Sequence, residues 1–251
     1  MTTNGAKTIA FFGATGGCTL GALTHSLRAG YACRALVRTP DKLTAALAAE
    51  AAPTATLTVL HGTIDDAAAV AATVAGAAIV VFGIGGTPRL TTDVRHRFVT
   101  LDDPTVCQRG IAAVLAALDA AAARPLISVV SSTGLGAGRP RDLPWLMMPL
   151  YRGLLHTPHA DKAAMEAALV ASGRQTVVVR PALLTDGPQT GRLRAGYAGR
   201  TKTGSNRWGD QEGDAIGYTI SRRDVGLWLF EEVVAAGENS EWIGKAVSLA
   251  Y

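Results

Sequence analysis

With 251 residues, 48% of them hydrophobic and 18% charged, the chain is long enough for one α/β domain with a full-sized core, which argues against two large domains and against extended disorder. The net charge of +4 comes from lysines and arginines scattered without a basic stripe or tail, so no nucleic-acid partner is expected. The same mild excess suits a solvated surface or a phosphorylated ligand.

The first predicted strand is Thr8 to Phe12. It runs into Gly13-Ala14-Thr15-Gly16-Gly17-Cys18, followed by a helix beginning near Leu20. Glycines here let backbone amides approach a pyrophosphate, and the positive end of the helix points at the same group, so Gly13, Thr15, Gly16, Gly17 and Cys18 are expected to hold a dinucleotide. A second strand, Ala32 to Val37, ends in Arg38, with Lys42 one helical turn on. A carboxylate there would suit a ribose diol; two cations suit a 2′-phosphate instead, which favours NADP(H) over NAD, against the alternative of a solvated basic pair. The third and fourth strands are Thr56 to Leu60 and Ala78 to Phe82. After the fourth, Gly83-Ile84-Gly85-Gly86 allows the backbone to pass close to the cofactor, chiefly at Gly83 and Gly85, or simply to turn.

Asp103-Pro104 gives a cap and a first-turn proline for a helix whose apolar residues, Ile111, Val114, Leu115 and Leu118, recur at three and four. The fifth strand, Leu126 to Val130, leads to Ser131, Ser132 and Thr133, beyond which residues 134–157 read as a long covering loop with Trp145, Leu146, Met147 and Met148 as an apolar wall or ordinary core. Thr157-Pro158 starts a helix, and the sixth strand, Thr176 to Val179, precedes Pro181 and Leu183. A second covering loop is expected at residues 187–213, where Arg192, Arg194, Tyr197 and Arg200 would form a mobile lid. Ser221 with Asp224 resembles a capping box for a helix through Trp228 and Phe230, and Ala246 to Leu249 is the last strand.

Ligands of open α/β sheets lie beyond the carboxyl ends of the strands, which puts Ser131, Ser132, Thr133, Pro181 and Leu183 near a nicotinamide. Ser132 and Thr133 could hydrogen-bond a carbonyl that becomes an alkoxide, or merely finish the strand. No tyrosine is followed by lysine four residues on, so no Tyr-x-x-x-Lys pair, in which a lysine lowers the pKa of a proton-donating phenol, is present in the sequence. His156, His159 and Tyr151 are the alternative acid–base candidates, with loop packing as the competing role for each.

The loop Gly13-Ala14-Thr15-Gly16-Gly17 resembles that of atypical short-chain dehydrogenase/reductases, in particular the NmrA-like and flavin/biliverdin-reductase-like group. Val129-Val130-Ser131-Ser132-Thr133-Gly134, Arg180 to Pro188 and Ile220 to Val225 extend the resemblance over nearly the whole chain, and the overall likeness is greatest to fungal members, some from natural-product pathways. The resemblance implies a Rossmann-type doubly wound parallel sheet of about seven strands, in the order 3-2-1-4-5-6-7, with helices on both faces and residues 1–251 in one domain. It places Lys162 beside the nicotinamide ribose as a cofactor anchor and possible proton donor, the alternative being a surface lysine paired with Glu166. Two departures stand out: Thr19 replaces a third loop glycine, which could set helix and strand farther apart or close the loop around Gly21. Gly62-Thr63 replaces the Gly-Asp that meets adenine, leaving Thr63 at that position.

Residues 1–7 leave no room for a secretory leader, and no apolar run reaches the ~18 residues of a membrane span, so a cytoplasmic chain without a membrane partner is expected. Cys18, Cys33 and Cys107 lack metal-ligand spacing, and no metal is expected. Together these features predict an NADPH-dependent oxidoreductase, monomeric or a small homo-oligomer, that reduces a carbonyl or conjugated double bond of a small apolar organic substrate. Two alternatives stay open: a redox-neutral isomerase or cyclase that retains NADP(H), and a non-catalytic NADP(H)-sensing regulator.

Overall fold

In the computed structural model, described over residues 7–90, 99–135, 146, 156–200, 208–212 and 217–251, the chain folds around a nine-stranded sheet. Its strands are β1 (Thr8–Phe12), β2 (Ala32–Val37), β3 (Leu57–His61), β4 (Ala77–Phe82), β7 (Leu126–Val130), β8 (Thr176–Pro181), β10 (Arg194–Arg200), β11 (Trp208–Glu212) and β13 (Lys245–Ala250). Four short strands lie outside it: β5 (Pro88–Leu90) pairs with β6 (Val99–Leu101), and β9 (Leu183–Thr185) with β12 (Thr219–Ser221). The sheet order is β11-β10-β13-β8-β7-β4-β1-β2-β3. The seven parallel strands thus keep the expected order, and two antiparallel strands extend it past β13.

Those two strands correct the sequence reading of residues 187–213 as a loop. Arg194, Tyr197 and Arg200 lie in a strand of the main sheet and do not form a lid. Glycine and alanine at 195, 196, 198 and 199 disguise the period-two pattern, but Ala198 is buried and the strand pairs with β13 from Arg194 to Gly199. The Tyr197 ring packs edge-on to Trp242, and the Lys245 ammonium lies 4.3 Å from its centroid.

The central strands are apolar throughout because helices cover both faces. Along β1 the faces alternate: Ile9 and Phe11 pack with α1 (Gly17–Arg28), α2 (Pro40–Ala49) and α6 (Arg222–Trp228), while Ala10 and Phe12 pack with α3 (Ala67–Val74), α4 (Val106–Ala120) and α5 (His156–Ala171). Gly21 and Gly226 make the α1–α6 crossing, since a Cβ on Gly226 would lie 2.8 Å from the Gly21 Cα. Gly21 therefore serves helix packing and does not close the phosphate loop. Helix α1 begins at Gly17, three residues earlier than expected, and α4 begins at Val106, after Asp103 has turned to accept from the Thr105 amide.

The capping box at the start of α6 forms, with Ser221 Oγ accepting from the Asp224 amide at 3.0 Å. Asp224 is fully buried and accepts from the Thr190 and Gly191 amides, the Thr190 and Ser221 hydroxyls and the Tyr251 phenol. Burial pushes its carboxyl up, but the hydrogen bonds from Tyr251, Gly191 and Thr190 outweigh this and hold the pKa below the ordinary 3.8. The carboxylate contributes stability above the unfolded-state value, and that contribution disappears as pH falls through the folded-state value. Asp224→Asn should lower the neutral-pH melting temperature by on the order of 5 °C, from ~1–3 kcal/mol at roughly 2–4 °C per kcal/mol. The gap to the parent protein should close below about pH 4; thermal melts across pH check both, and a pH-independent gap would contradict the assignment.

Candidate functional site

A cleft of about 260 Å³ runs along the carboxyl ends of β3, β2, β1 and β4. Its floor is the turn from Gly13 to Gly16, one wall is Arg38 with Thr63 to Asp65, and the other is Gly83 to Gly86. The turn depends on two strand ends approaching to backbone contact. Gly13 has φ +79°, and a Cβ there would lie 2.7 Å from the Gly83 carbonyl carbon. Thr19 exploits the matching gap, since its Oγ1 would be 1.9 Å from a Cβ on Gly83. The missing third loop glycine is thus compensated on the opposite strand, and no wider spacing of helix and sheet is needed.

Helix α1 leaves its first-turn amides without a side-chain cap. In α3, α4 and α6 the corresponding amides are taken by Asp66, Asp161 and Ser221 respectively. An uncapped helix start at the end of the first strand, bordered by glycines, fits the pyrophosphate of a dinucleotide. Across the mouth Arg109, which sequence reasoning missed, forks onto Asp65 at 3.0 Å and onto Asp103 at 3.0 Å. It ties α4 to the turn after β3 where the adenine aspartate of related loops is replaced by Thr63, whose hydroxyl accepts from the Asp65 amide. Arg109 and Asp65 are 44 residues apart and carry no local signal: their partnership follows only from the fold bringing the end of β3 and the start of α4 together.

A second cluster sits where β7 and β8 end. Lys162 Nζ donates to the carbonyls of Val130 at 2.9 Å and Ser131 at 3.1 Å. His159, one turn earlier on α5, places Nε2 3.3 Å from Ser132 Oγ. Glu166 does not pair with Lys162. It is buried with Arg180, which donates through Nε at 3.0 Å and through its terminal nitrogen at 2.6 Å, and it also accepts from Ser131 Oγ at 2.5 Å. Asp161 accepts from the Cys107 and Gln108 amides at 2.9 and 2.8 Å, fastening α5 to the start of α4.

Of the residues predicted for cofactor contact, Gly13, Thr15, Gly16, Arg38, Thr63, Gly83 and Gly85 line the cleft. Lys42 is exposed on α2 outside its wall, and Gly17 begins α1 on the far side of the turn. Ser131 spends its hydroxyl on Glu166, and Pro181 is buried with its carbonyl accepting from the Thr133 amide. Leu183 is 42% exposed. The Thr133 hydroxyl is fully buried and has no hydrogen-bond partner. Tyr151, Trp145, Met147 and Met148 lie outside the described residues, as does the side chain of His156. Burial raises the Cys18 thiol to about 12 despite the nearby charges of Arg222 and Lys162, and raises Cys107 to about 12 as well. Neither is a thiolate at neutral pH.

The fold and the cleft define a Rossmann-type dinucleotide-binding protein. A family model described as NAD(P)H-binding matches residues 13–234, and the chain belongs to that family. A reductase named pytE from Aspergillus terreus is 38% identical, with 97% of this chain and 98% of that protein aligned. An oxidase named pynE from Aspergillus niger is 33% identical over 96% and 98% of the two chains. Among solved structures, a short-chain dehydrogenase/reductase from Veillonella parvula in complex with NADP superposes with a TM-score of 0.68 at 17% identity, covering 98% of this chain and 94% of that one. An anaerobilin reductase from Escherichia coli O157:H7 gives 0.65 at 20% identity over 97% of each chain. No helix among the described residues is long and apolar enough to cross a membrane.

The Thr19–Gly83 complementarity is directly testable. Gly83→Ala should lower the melting temperature by on the order of 5 °C or more, as overpacking costs ~1–3 kcal/mol, and Thr19→Gly with Gly83→Ala should recover most of the loss. Thermal unfolding of the two single variants and the double variant checks this; additive losses would show that the two positions do not share the space.

Proposed function

We propose that the chain is an NADPH-dependent oxidoreductase that reduces a carbonyl or conjugated double bond of a small apolar organic molecule. The observation that carries the reading is the Ser132–His159 hydrogen bond at the carboxyl end of β7, beside an ammonium held on the last carbonyls of the same strand. Membership of an NAD(P)H-binding family and fungal relatives named as a reductase and an oxidase support the redox class.

Bound NADPH supplies the hydride. Gly13, Thr15 and Gly16 would present backbone to its pyrophosphate, and Arg38 would favour its 2′-phosphate. Ser132 hydrogen-bonds the substrate oxygen, and His159 delivers through it the proton that balances the hydride. Lys162 donates to two main-chain carbonyls and keeps a positive charge near the oxygen as negative charge develops on it. Exposed Leu183 offers apolar surface to the substrate.

Two measurements follow. Arg38→Gln should weaken NADPH about 10–100-fold in a fluorescence titration while changing NADH by less than about threefold, because only the 2′-phosphate loses a charge-assisted partner; equal losses for both cofactors would refute NADP preference. With NADPH deuterated at the transferring carbon and a panel of apolar ketones and enones, label should appear in product, and His159→Gln should reduce kcat by ~10²–10⁴ with cofactor affinity retained. Turnover of substrate without label in the product would exclude hydride transfer.

A further inference from the structure

A second cleft, of about 280 Å³, lies on the outer side of α1 and shares no lining residue with the cofactor cleft. Its floor is the α1 face carrying Thr24, His25 and Arg28, and its walls bring Arg222 and Arg223 from α6. We infer that this cleft is a binding site for a small phosphate-type oxyanion, distinct from the dinucleotide site.

The first observation is an orphaned hydroxyl. Thr24 is 2% exposed, lines the cleft, and its Oγ1 has no hydrogen-bond partner. A buried hydroxyl left unpaired is costly, and one in the floor of a polar cleft is explained by a ligand that pairs with it.

The second observation is the charge around it. Three guanidinium groups face two carboxylates, so the lining is positive overall even with His25 neutral. The existing pairings leave donors to spare. Arg28 donates to the Glu50 carbonyl at 2.5 Å and Arg223 to the Glu50 carboxylate at 2.8 Å, each with further N–H groups in the same plane. Arg222 pairs with Asp186 at 2.7 Å, but that carboxylate is 90% exposed, and such a surface pair yields readily to a better partner. His25 is held by stacking on Phe230 at 5.7 Å and reaches Gln189 at 3.3 Å. Forked, planar donors above a hydroxyl suit a tetrahedral oxyanion with several acceptor oxygens.

Gly17 keeps Arg222 in place. A Cβ at residue 17 would stand 2.6 Å from the Arg222 Cδ, so the arginine stem lies flat across the first turn of α1 and directs its head over the cleft.

The test is thermal unfolding and calorimetry of the full chain with inorganic phosphate, glycerol 3-phosphate, or sodium chloride at matched ionic strength. It compares the parent with Thr24→Val, Arg223→Gln and Arg38→Gln. Both phosphates should stabilise the parent beyond the salt control if the shared group is what binds, and inorganic phosphate alone if the site takes only the free ion. The response should survive Arg38→Gln, which alters only the cofactor cleft, and its apparent affinity should fall about tenfold or more in Thr24→Val and in Arg223→Gln. Without phosphate, Thr24→Val should melt no lower than the parent, because an unpaired hydroxyl is replaced by a methyl. Arg223 is exposed, so its variant tests the site even if Thr24→Val folds poorly. A response equal to the salt control, one unchanged in Arg223→Gln, or one abolished only by Arg38→Gln would overturn the proposal; the last would assign phosphate to the cofactor cleft and leave the dinucleotide reading standing.

Discussion

The arrangement depends on main chain meeting main chain where β1 and β4 end. At Gly13 and Gly83 the approach is closer than any side chain permits, and Thr19 fills the little space that remains. This contact fixes the direction in which α1 leaves the sheet, and so where its uncapped amides point. A methyl group at either glycine would have to push the helix, the strand or the turn aside in a core packed at crystalline density. The candidate cofactor cleft is therefore a consequence of backbone packing before it is a matter of side-chain chemistry.

Helix α5 is positioned by a different device, a row of charged side chains that each reach a separate element. Asp161 holds α4, Lys162 holds the end of β7, and Glu166 holds Arg180 on β8. A buried carboxylate–guanidinium pair is a poor source of net stability, because removing both ions from water costs much of what their attraction returns. What it does supply is register: the fork at Arg180 and the hydroxyl of Ser131 together accept only one rotation of α5. With that rotation set, His159 faces Ser132 across the end of the sheet. The proposed chemistry relies on that placement of α5.

The parallel core was legible in the sequence because strands covered on both faces are continuous apolar runs. Residues 8–12, 32–37 and 126–130 have the bounds expected of them, and β3 is displaced by one residue. The strand from Arg194 to Arg200 was not legible, since alanine and glycine carry too little hydrophobic contrast to reveal alternation. Pairings between distant residues were hidden for a more general reason. Local spacing put Glu166 one turn from Lys162 and suggested an ion pair, but Arg180 competes for the same carboxylate with two hydrogen bonds in a buried setting. Arg109 with Asp65, and Asp161 with the amides of α4, are of the same kind: every partner is visible in the sequence, yet only the fold decides who meets whom.

These pairings also decide which group can move a proton in the proposed reaction. In the usual tyrosine–lysine arrangement the lysine lowers the pKa of a neighbouring phenol. Here the ammonium of Lys162 faces main-chain carbonyls, which accept hydrogen bonds but do not titrate. Its charge can favour an anion nearby, while the donation itself falls to a group that can both give and regain a proton near neutral pH. In the proposed reaction that group is His159, whose Nε2 lies 3.3 Å from Ser132 Oγ. In the proposed reaction the functions that one lysine–tyrosine unit combines would thereby be divided, with electrostatics on α5 at residue 162 and proton transfer one turn earlier on the same helix.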